Sequence, residues 1–295
     1  MEITAARLPT DTNAIIDFVA SRNPKQDLVN FRSDLNVDTA WSLKAVVARE
    51  HNHTLSGFGL ARAASNLPAG AVFVIVITRR DLGGQGVARR LFAAVLADIA
   101  EDVSGLVTCV MEGDQTSLDV ARHWGFQTQQ VSVTTSVALA DAPKPEARPG
   151  VIVEVCDELS CADHEAVEAM LLASQTNPEA ELGLMLTLAS LRDSVAPRQR
   201  PVAVLTRCDG HPAAMSFGIA DGEQMHVVYT GVDPAWRGRG LGRLTKQFLH
   251  AHARDVGVRL AFTSNEEGNT GIRHINDQLG YTHHSSWHWL MRPTH

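Results

Sequence analysis

A chain of 295 residues with 44% apolar and 20% charged side chains has a globular composition, and its length favours two cores over one. The net charge of −7 gives no basic footprint, so neither nucleic acid nor an anionic membrane is expected as a partner. There is no basic start with an apolar leader run, no stretch near the roughly 18 apolar residues of a membrane span, and no C-x-x-C pair among Cys109, Cys156, Cys161 and Cys208. A cytoplasmic location with reduced thiols is the expectation.

In chain order, "EITAAR" reads as a strand and Thr12 to Ala20 as a helix opened by Asp11. "KAVVARE" and "LSGFGLAR" read as paired strands and "AVFVIVI" as an apolar strand. "TRRDLGGQGVARRLFAAVLADIA" follows as a glycine turn feeding an amphipathic helix, then the strand "GLVTCVM" and the helix "SLDVARHWGF", ended by Gly125. The three prolines of Leu139 to Gly150 read as a linker. The same order then repeats. "VIVEVC" leads into the helix "ADHEAVEAMLLA", with a further helical pattern over Pro178 to Ala196. The strands "PVAVLTR", "PAAMSFGI" and "QMHVVYTGV" follow, then the turn "VDPAWRGRGLG" and the helix "LGRLTKQFLHAHARDV". The strand "VRLAFTSN" and the helix "GIRHINDQLGY", ended by Gly280, complete the plan.

Gly86 and Gly240 lie 154 positions apart, and Gly125 and Gly280 lie 155 apart. A spacing kept to one residue over that distance marks an internal duplication. The expected fold is α/β (α+β): two tandem domains, 1–138 and 151–295, joined by a linker at 139–150. Each would hold a mixed, mostly antiparallel central sheet with helices on both faces.

The second turn carries the chemistry. A glycine turn between a strand and a helix N-terminus presents unpaired N–H groups and the positive end of the helix dipole to one point. Gly238, Gly240 and Gly242 let a ligand approach closely, while Arg237 and Arg239 offer charge to phosphate oxygens. Pyrophosphate is the ligand this suits. A nucleotide P-loop needs Gly-Lys-Ser/Thr where Gly242-Arg243-Leu244 stands, and a dinucleotide fingerprint needs a glycine at Arg243.

Strand, R-G-R-G-L-G and amphipathic helix resemble the acyl-CoA-binding signature Q/R-x-x-G-x-G/A of the GNAT acyltransferase superfamily. "TSNEEGNTGIRHINDQLGY" is similar to that family's second signature, so the resemblance covers nearly the whole chain. Tandem members such as mycothiol synthase share this length. The resemblance implies acetyl-CoA as co-substrate, no metal, and a small-molecule amine as acceptor, in a monomer or homodimer. Thr230, Gly231 and Val232 would offer backbone groups to the pantetheine arm. The amides of Arg237, Gly238, Arg239, Gly240, Leu241, Gly242 and Arg243 would hold the pyrophosphate.

The family's base position falls on His226, which either accepts a proton from the amine or packs in its strand, with Glu223 as substitute. The acid position, a tyrosine in the family, is Asn276, which can orient a thiolate but not protonate it. Asn265 falls where members contact the pantetheine, and Asn269 is either such a contact or an N-cap. By strand alternation Tyr229 should face away from His226. In the first half the turn keeps Gly83, Gly84 and Gly86, but the base and acid positions read Val72 and Ala121. The first domain is therefore expected to be degenerate, although Arg79 and Arg80 could still attract a phosphate. His283, His284 and His288 read as substrate-cleft residues rather than metal ligands, and Glu179 and Glu181 as a helix face or an amine attractor. The rival functions are mycothiol-type thiol biosynthesis and a non-catalytic acyl-CoA-binding module.

Overall fold

The structure is a computed structural model that describes residues 1–35, 43–63, 67, 70–97, 99, 103–157, 164–174 and 186–294. Cys161, Glu179 and Glu181 lie outside them. The chain forms two compact units, each an α/β layer of a mixed sheet covered by helices. One comprises Met1–Val131 with Trp287–His295, the other Ser132–Ser286. The units therefore do not divide at the proline-rich segment, where the sequence suggests a boundary.

The first unit contains β1 (Glu2–Ala5), α1 (Thr12–Arg22), α2 (Leu28–Asp34), β2 (Leu43–Arg49), β3 (Leu55–Ala63) and β4 (Ala71–Thr78). α3 (Val87–Leu96), β5 (Gly105–Met111), α4 (Gln115–His123) and the start of β6 (Gln127–Ala138) follow. Strands β1 to β4 pair antiparallel in sequence order. β5 joins β4 in parallel. The outer edge of β5 takes Trp287–Pro293, the end of β12 (Thr282–Pro293). Leu91 and Val95 of α3 pack one face of the sheet with Val46, Val74, Leu106 and Leu290. Ile15 and Val19 of α1 and Phe31 of α2 cover the other, against Val47, Phe58 and Leu60.

Two local readings change here. Asp11 makes no side-chain cap. Its carboxylate instead accepts from Arg7 N at 2.8 Å and pairs with Arg49 at 3.1 Å. α2 gives little signal in the sequence because it is seven residues long. It forms because Asp27 caps it, accepting from Asn30 N, and because Val29 and Phe31 are buried.

The second unit contains β7 (Val151–Cys156), α5 (His164–Ser174), α6 (Leu188–Asp193), β8 (Arg200–Cys208), β9 (His211–Asp221) and β10 (Gln224–Val232). α7 (Leu241–Asp255), β11 (Leu260–Glu266) and α8 (Thr270–Gln278) follow. Strands β7 to β10 run antiparallel in order, and β11 joins β10 in parallel. Residues 132–138 of β6 then pair antiparallel along the far side of β11. Each unit thus completes its sheet with a strand that sequence order would give to the other half. The stretch after β6 is no free linker either. Leu139 and Ala142 enter the second unit's core with Val204, Val227, Leu249 and Leu279. Lys144 O accepts from the Gln247 side chain.

Inside this unit His250 of α7 is buried, and its Nε2 pairs with the Tyr281 hydroxyl at 2.8 Å. Burial, with the nearby positive charge of Lys246 and Arg254, pushes its pKa down to about 3. The folded unit therefore holds His250 neutral where the unfolded chain protonates it.

Two stability predictions follow from these cores. Leu290→Ala, near the C-terminal end of the sequence, should destabilise the first unit by about 2–5 kcal/mol. Hydrogen exchange would then rise in β2–β5 and not in β8–β10. Between the ordinary histidine value of about 6.5 and about 3, the unfolded chain binds a proton that folded His250 refuses, so stability should fall as pH drops through that window. Urea midpoints against pH should show a shallower acid loss in His250→Gln.

Candidate functional site

The site is built around the loop between β10 and α7. After Val232, Asp233 Oδ1 accepts from Ala235 N at 2.8 Å and starts one 3-10 turn, Pro234–Trp236. Gly238 and Gly240 follow with φ of 77° and 71°, a left-handed conformation that glycine adopts without cost. Gly240 caps α7 with no side chain to fold back on it. The first helical bond is Leu244 N to Gly240 O, so the N–H groups of Leu241, Gly242 and Arg243 have no helical acceptor. A Cβ at Gly238 would meet nothing within 4 Å, so the space in front of the loop is open. A bound anion fits this cradle.

Gly242 also has a packing role. A Cβ there would come within 3.0 Å of Ile275 and of Val232, so this glycine lets α7 close onto α8 and β10. The arginines are held by the protein. Arg237 Nε donates to Val232 O at 3.2 Å, Arg239 lies over the Trp236 ring at 4.7 Å, and Arg243 reaches Gln278 at 3.5 Å. Sequence reading missed a fourth. Arg148 Nη1 donates to Arg239 O at 2.9 Å, bringing its guanidinium beside Gly240. Its only signal was charge within a proline-rich stretch.

The loop stands at the open end of a cleft. β10 and β11 pair only over Gln224–His226 against Leu260–Phe262. Beyond that the Thr263 hydroxyl still donates to Val227 O at 3.1 Å. His226, 8% exposed, therefore sits where the two strands begin to part.

On its other side β10 shifts register against β9 between Val227 and Tyr229. This bulge corrects the expected side-chain directions. Opposite residues share a face, and the partners of His226 and Tyr229 are Ile219 and Phe217, two apart on β9. The extra residue thus puts Tyr229 on the same face as His226. The Tyr229 hydroxyl donates to Met170 O of α5 at 2.8 Å, and the phenol lies directly across Gly231, where a Cβ would collide with it. On the opposite face the Thr230 hydroxyl pairs with Ser216 at 2.9 Å. Glu223 is not brought to the turn. It lies in the β9–β10 connection, 64% exposed and paired with Arg259 at 3.0 Å, nine residues and about 30 Å of strand from Val232.

At the end of β11, Asn265 Oδ1 accepts from Asn276 Nδ2 at 2.9 Å. Asn276 is 2% exposed, and its own Oδ1 accepts from Lys246 Nζ at 2.7 Å. Asn265 and Asn276 line a cavity of about 150 Å³ with Arg273, Asp277, Tyr281 and His283. Asn269 caps α8, its side chain accepting from Ile272 N. His283 pairs with Ser286, and His284 sits edge-on to Phe262.

The first unit repeats the frame without the polar groups. Gly84 and Gly86 both have φ of 76°, and Gly86 caps α3 as Gly240 caps α7. β4 and β5 part after Phe73. β4 has no register shift, so counting back from Thr78 misplaces the equivalent of His226 by one residue: it is Phe73, not Val72. Ala121 is buried in the core. Arg79 is taken up by Glu50 and Asp81, at 2.7 and 2.6 Å.

Residues 157–264 match the family described as "Acetyltransferase (GNAT) domain". Among curated proteins no match was found. The chain is similar in structure to a tandem GNAT protein from the clavulanic acid biosynthesis pathway, at 17% identity and a TM-score of 0.75, with 99% of this chain and 98% of that one covered. It is also similar to a GCN5-related N-acetyltransferase from Sphaerobacter thermophilus, at 16% identity and TM-score 0.68, covering 99% and 95%. A third, a GCN5-related N-acetyltransferase from Kribbella flavida, is 22% identical with a TM-score of 0.58, covering 81% and 88%. Residues 157–264 are thus similar to a GNAT acetyltransferase domain, and the chain has the fold of the tandem GNAT protein.

Proposed function

We propose that the second unit is an acetyl-CoA-dependent N-acetyltransferase acting on the primary amine of a small molecule, and that the first unit is a degenerate copy. The observation that carries the reading is the cradle of three N–H groups without a helical acceptor at Leu241–Arg243, set at the open end of a cleft whose vertex holds His226. Acetyl-CoA, when bound, supplies an activated thioester. The N–H groups of Leu241, Gly242 and Arg243 hold the pyrophosphate, with Arg237, Arg239 and Arg148 adding positive charge. Backbone groups of Thr230 to Val232, beyond the parallel pairing, bind the pantetheine arm, and an amide of this strand near Val232 stabilises the oxyanion.

His226 accepts the proton of the attacking amine, directly or through water. Tyr229 shares its face but hydrogen-bonds α5, so it acts as a wall of the acceptor site. The acceptor class is read from the chain's net charge of −7, which suits a small cationic or polar amine. The carboxylates Glu179 and Glu181 are candidates for attracting the amine. Mycothiol-type chemistry is the weaker reading, because Asn276 stands where that enzyme has a tyrosine.

Isothermal titration of acetyl-CoA should show one site, weakened at least about tenfold in Arg237→Ala/Gly240→Asp and unchanged in Gly86→Asp. Loss only through Gly86→Asp would move the enzyme to the first unit. With an acceptor found by thiol-release screening, His226→Ala should lower kcat by about 10²–10⁴-fold and leave acetyl-CoA affinity within twofold. An unchanged rate would remove His226 as the base.

A further inference from the structure

Lys246 lies in the second turn of α7 and is 0% exposed. A lysine is almost never fully buried without a counter-charge. Among the described residues no carboxylate forms a salt bridge with this one. Among those residues its ammonium contacts Asn276 Oδ1 at 2.7 Å and the face of the Tyr281 ring, with Nζ 4.4 Å from the centroid. Burial pushes its pKa down to about 7. The groups around it offer no compensation. His250, one turn along the same helix, is held neutral, and the Tyr281 hydroxyl is held protonated by burial. Arg254 adds positive charge on α7. Arg273, Asp277 and His283 face the cavity beyond Asn276.

This arrangement buries a positive charge one amide away from the cavity that Asn276 and Asn265 line. The amide is fixed at both ends. With Oδ1 held by Lys246, Asn276 must turn Nδ2 toward Asn265 Oδ1, which fixes Asn265 as well, at the end of the strand that forms one side of the cleft. A neutral side chain at position 246 could pack the same space with less loss of solvation. An anion that forms only during the reaction would use the charge.

We propose that Lys246 is a positioning residue of the acyl transfer, which through Asn276 orients the Asn276–Asn265 pair and sets a buried positive charge toward the departing coenzyme thiolate. The proposal rests on the function proposed above. As the amine nitrogen bonds to the acyl carbon, the C–S electron pair leaves on sulfur, and the amine proton goes to His226 or its water. The hydrogen bond from Lys246 holds the amides in place, and while Lys246 is protonated its charge stabilises the sulfur anion until solvent protonates it. This supplies electrostatically what Asn276 cannot supply as an acid.

The test uses the full-length protein and coenzyme A with its free thiol, so it needs no acceptor. Lys246→Gln keeps a donor to Asn276 and loses the charge, and Lys246→Met loses both. Both should fold, because each removes a desolvated ammonium. Coenzyme A affinity by calorimetry should stay within about threefold in each, since the cradle is untouched. Thiolate absorbance against pH should show the bound thiol titrating at least about tenfold more readily than free coenzyme A in the wild type. The shift should vanish in Lys246→Met, shrink in Lys246→Gln, and shrink in Asn276→Leu with Lys246 retained. Unaltered thiol titration in the Lys246 variants, with binding intact, would overturn the role of Lys246 and leave the proposed function standing. Failure of the wild type to bind coenzyme A would overturn both.

Discussion

Parallel strands that separate leave rows of backbone donors and acceptors without partners, and these groups must be satisfied by something. In the second unit this begins after His226 and Phe262 and runs to the glycine loop. The rest of the site is arranged around that gap. The loop turns the chain so that α7 points its free N–H groups at the open end. The bulge brings His226 and Tyr229 to one face of β10, and the Lys246–Asn276 hydrogen bond is passed on to Asn265 at the end of β11. A peptide-like ligand such as a pantetheine arm is the kind of molecule that can complete such a strand pair. A ligand with a diphosphate at one end can also fill the cradle.

The two units share this gap and differ in what lines it. In the first, the vertex residue is Phe73, stacked at a tilt on Trp289 with centroids 5.6 Å apart. The arginine beside its loop is already neutralised by two carboxylates. Removing the bulge and apolar replacement at the vertex go together. The backbone frame is common to both units because strand and helix packing does not depend on the side chains that line the gap.

Much of this was legible in the sequence. The glycines at 84, 86, 238 and 240 were readable because left-handed backbone admits almost nothing else. The duplication was readable because those glycines fix both copies to one frame. The bulge was not, since one inserted apolar residue in "HVVYTGV" leaves a run that fits either face. The strand exchange was hidden for a similar reason: β6 and β12 pair through backbone atoms, which any sequence of suitable alternation provides. Lys246 read as an ordinary polar position on an amphipathic helix, and only packing shows that it faces inward. Arg148 was hidden by its place in a segment that looked like a spacer.

The exchanged strands also bear on how the protein comes into being. Trp287 follows Met111 by 176 positions, yet its strand pairs along the side of β5 that β4 leaves open. During synthesis at about 5–20 residues per second, β5 waits many seconds with a bare edge before its neighbour leaves the ribosome. Such an edge pairs readily with any strand offered, including the equivalent strand of another nascent chain. A dimer formed by trading β12 between molecules would satisfy the same hydrogen bonds as the monomer.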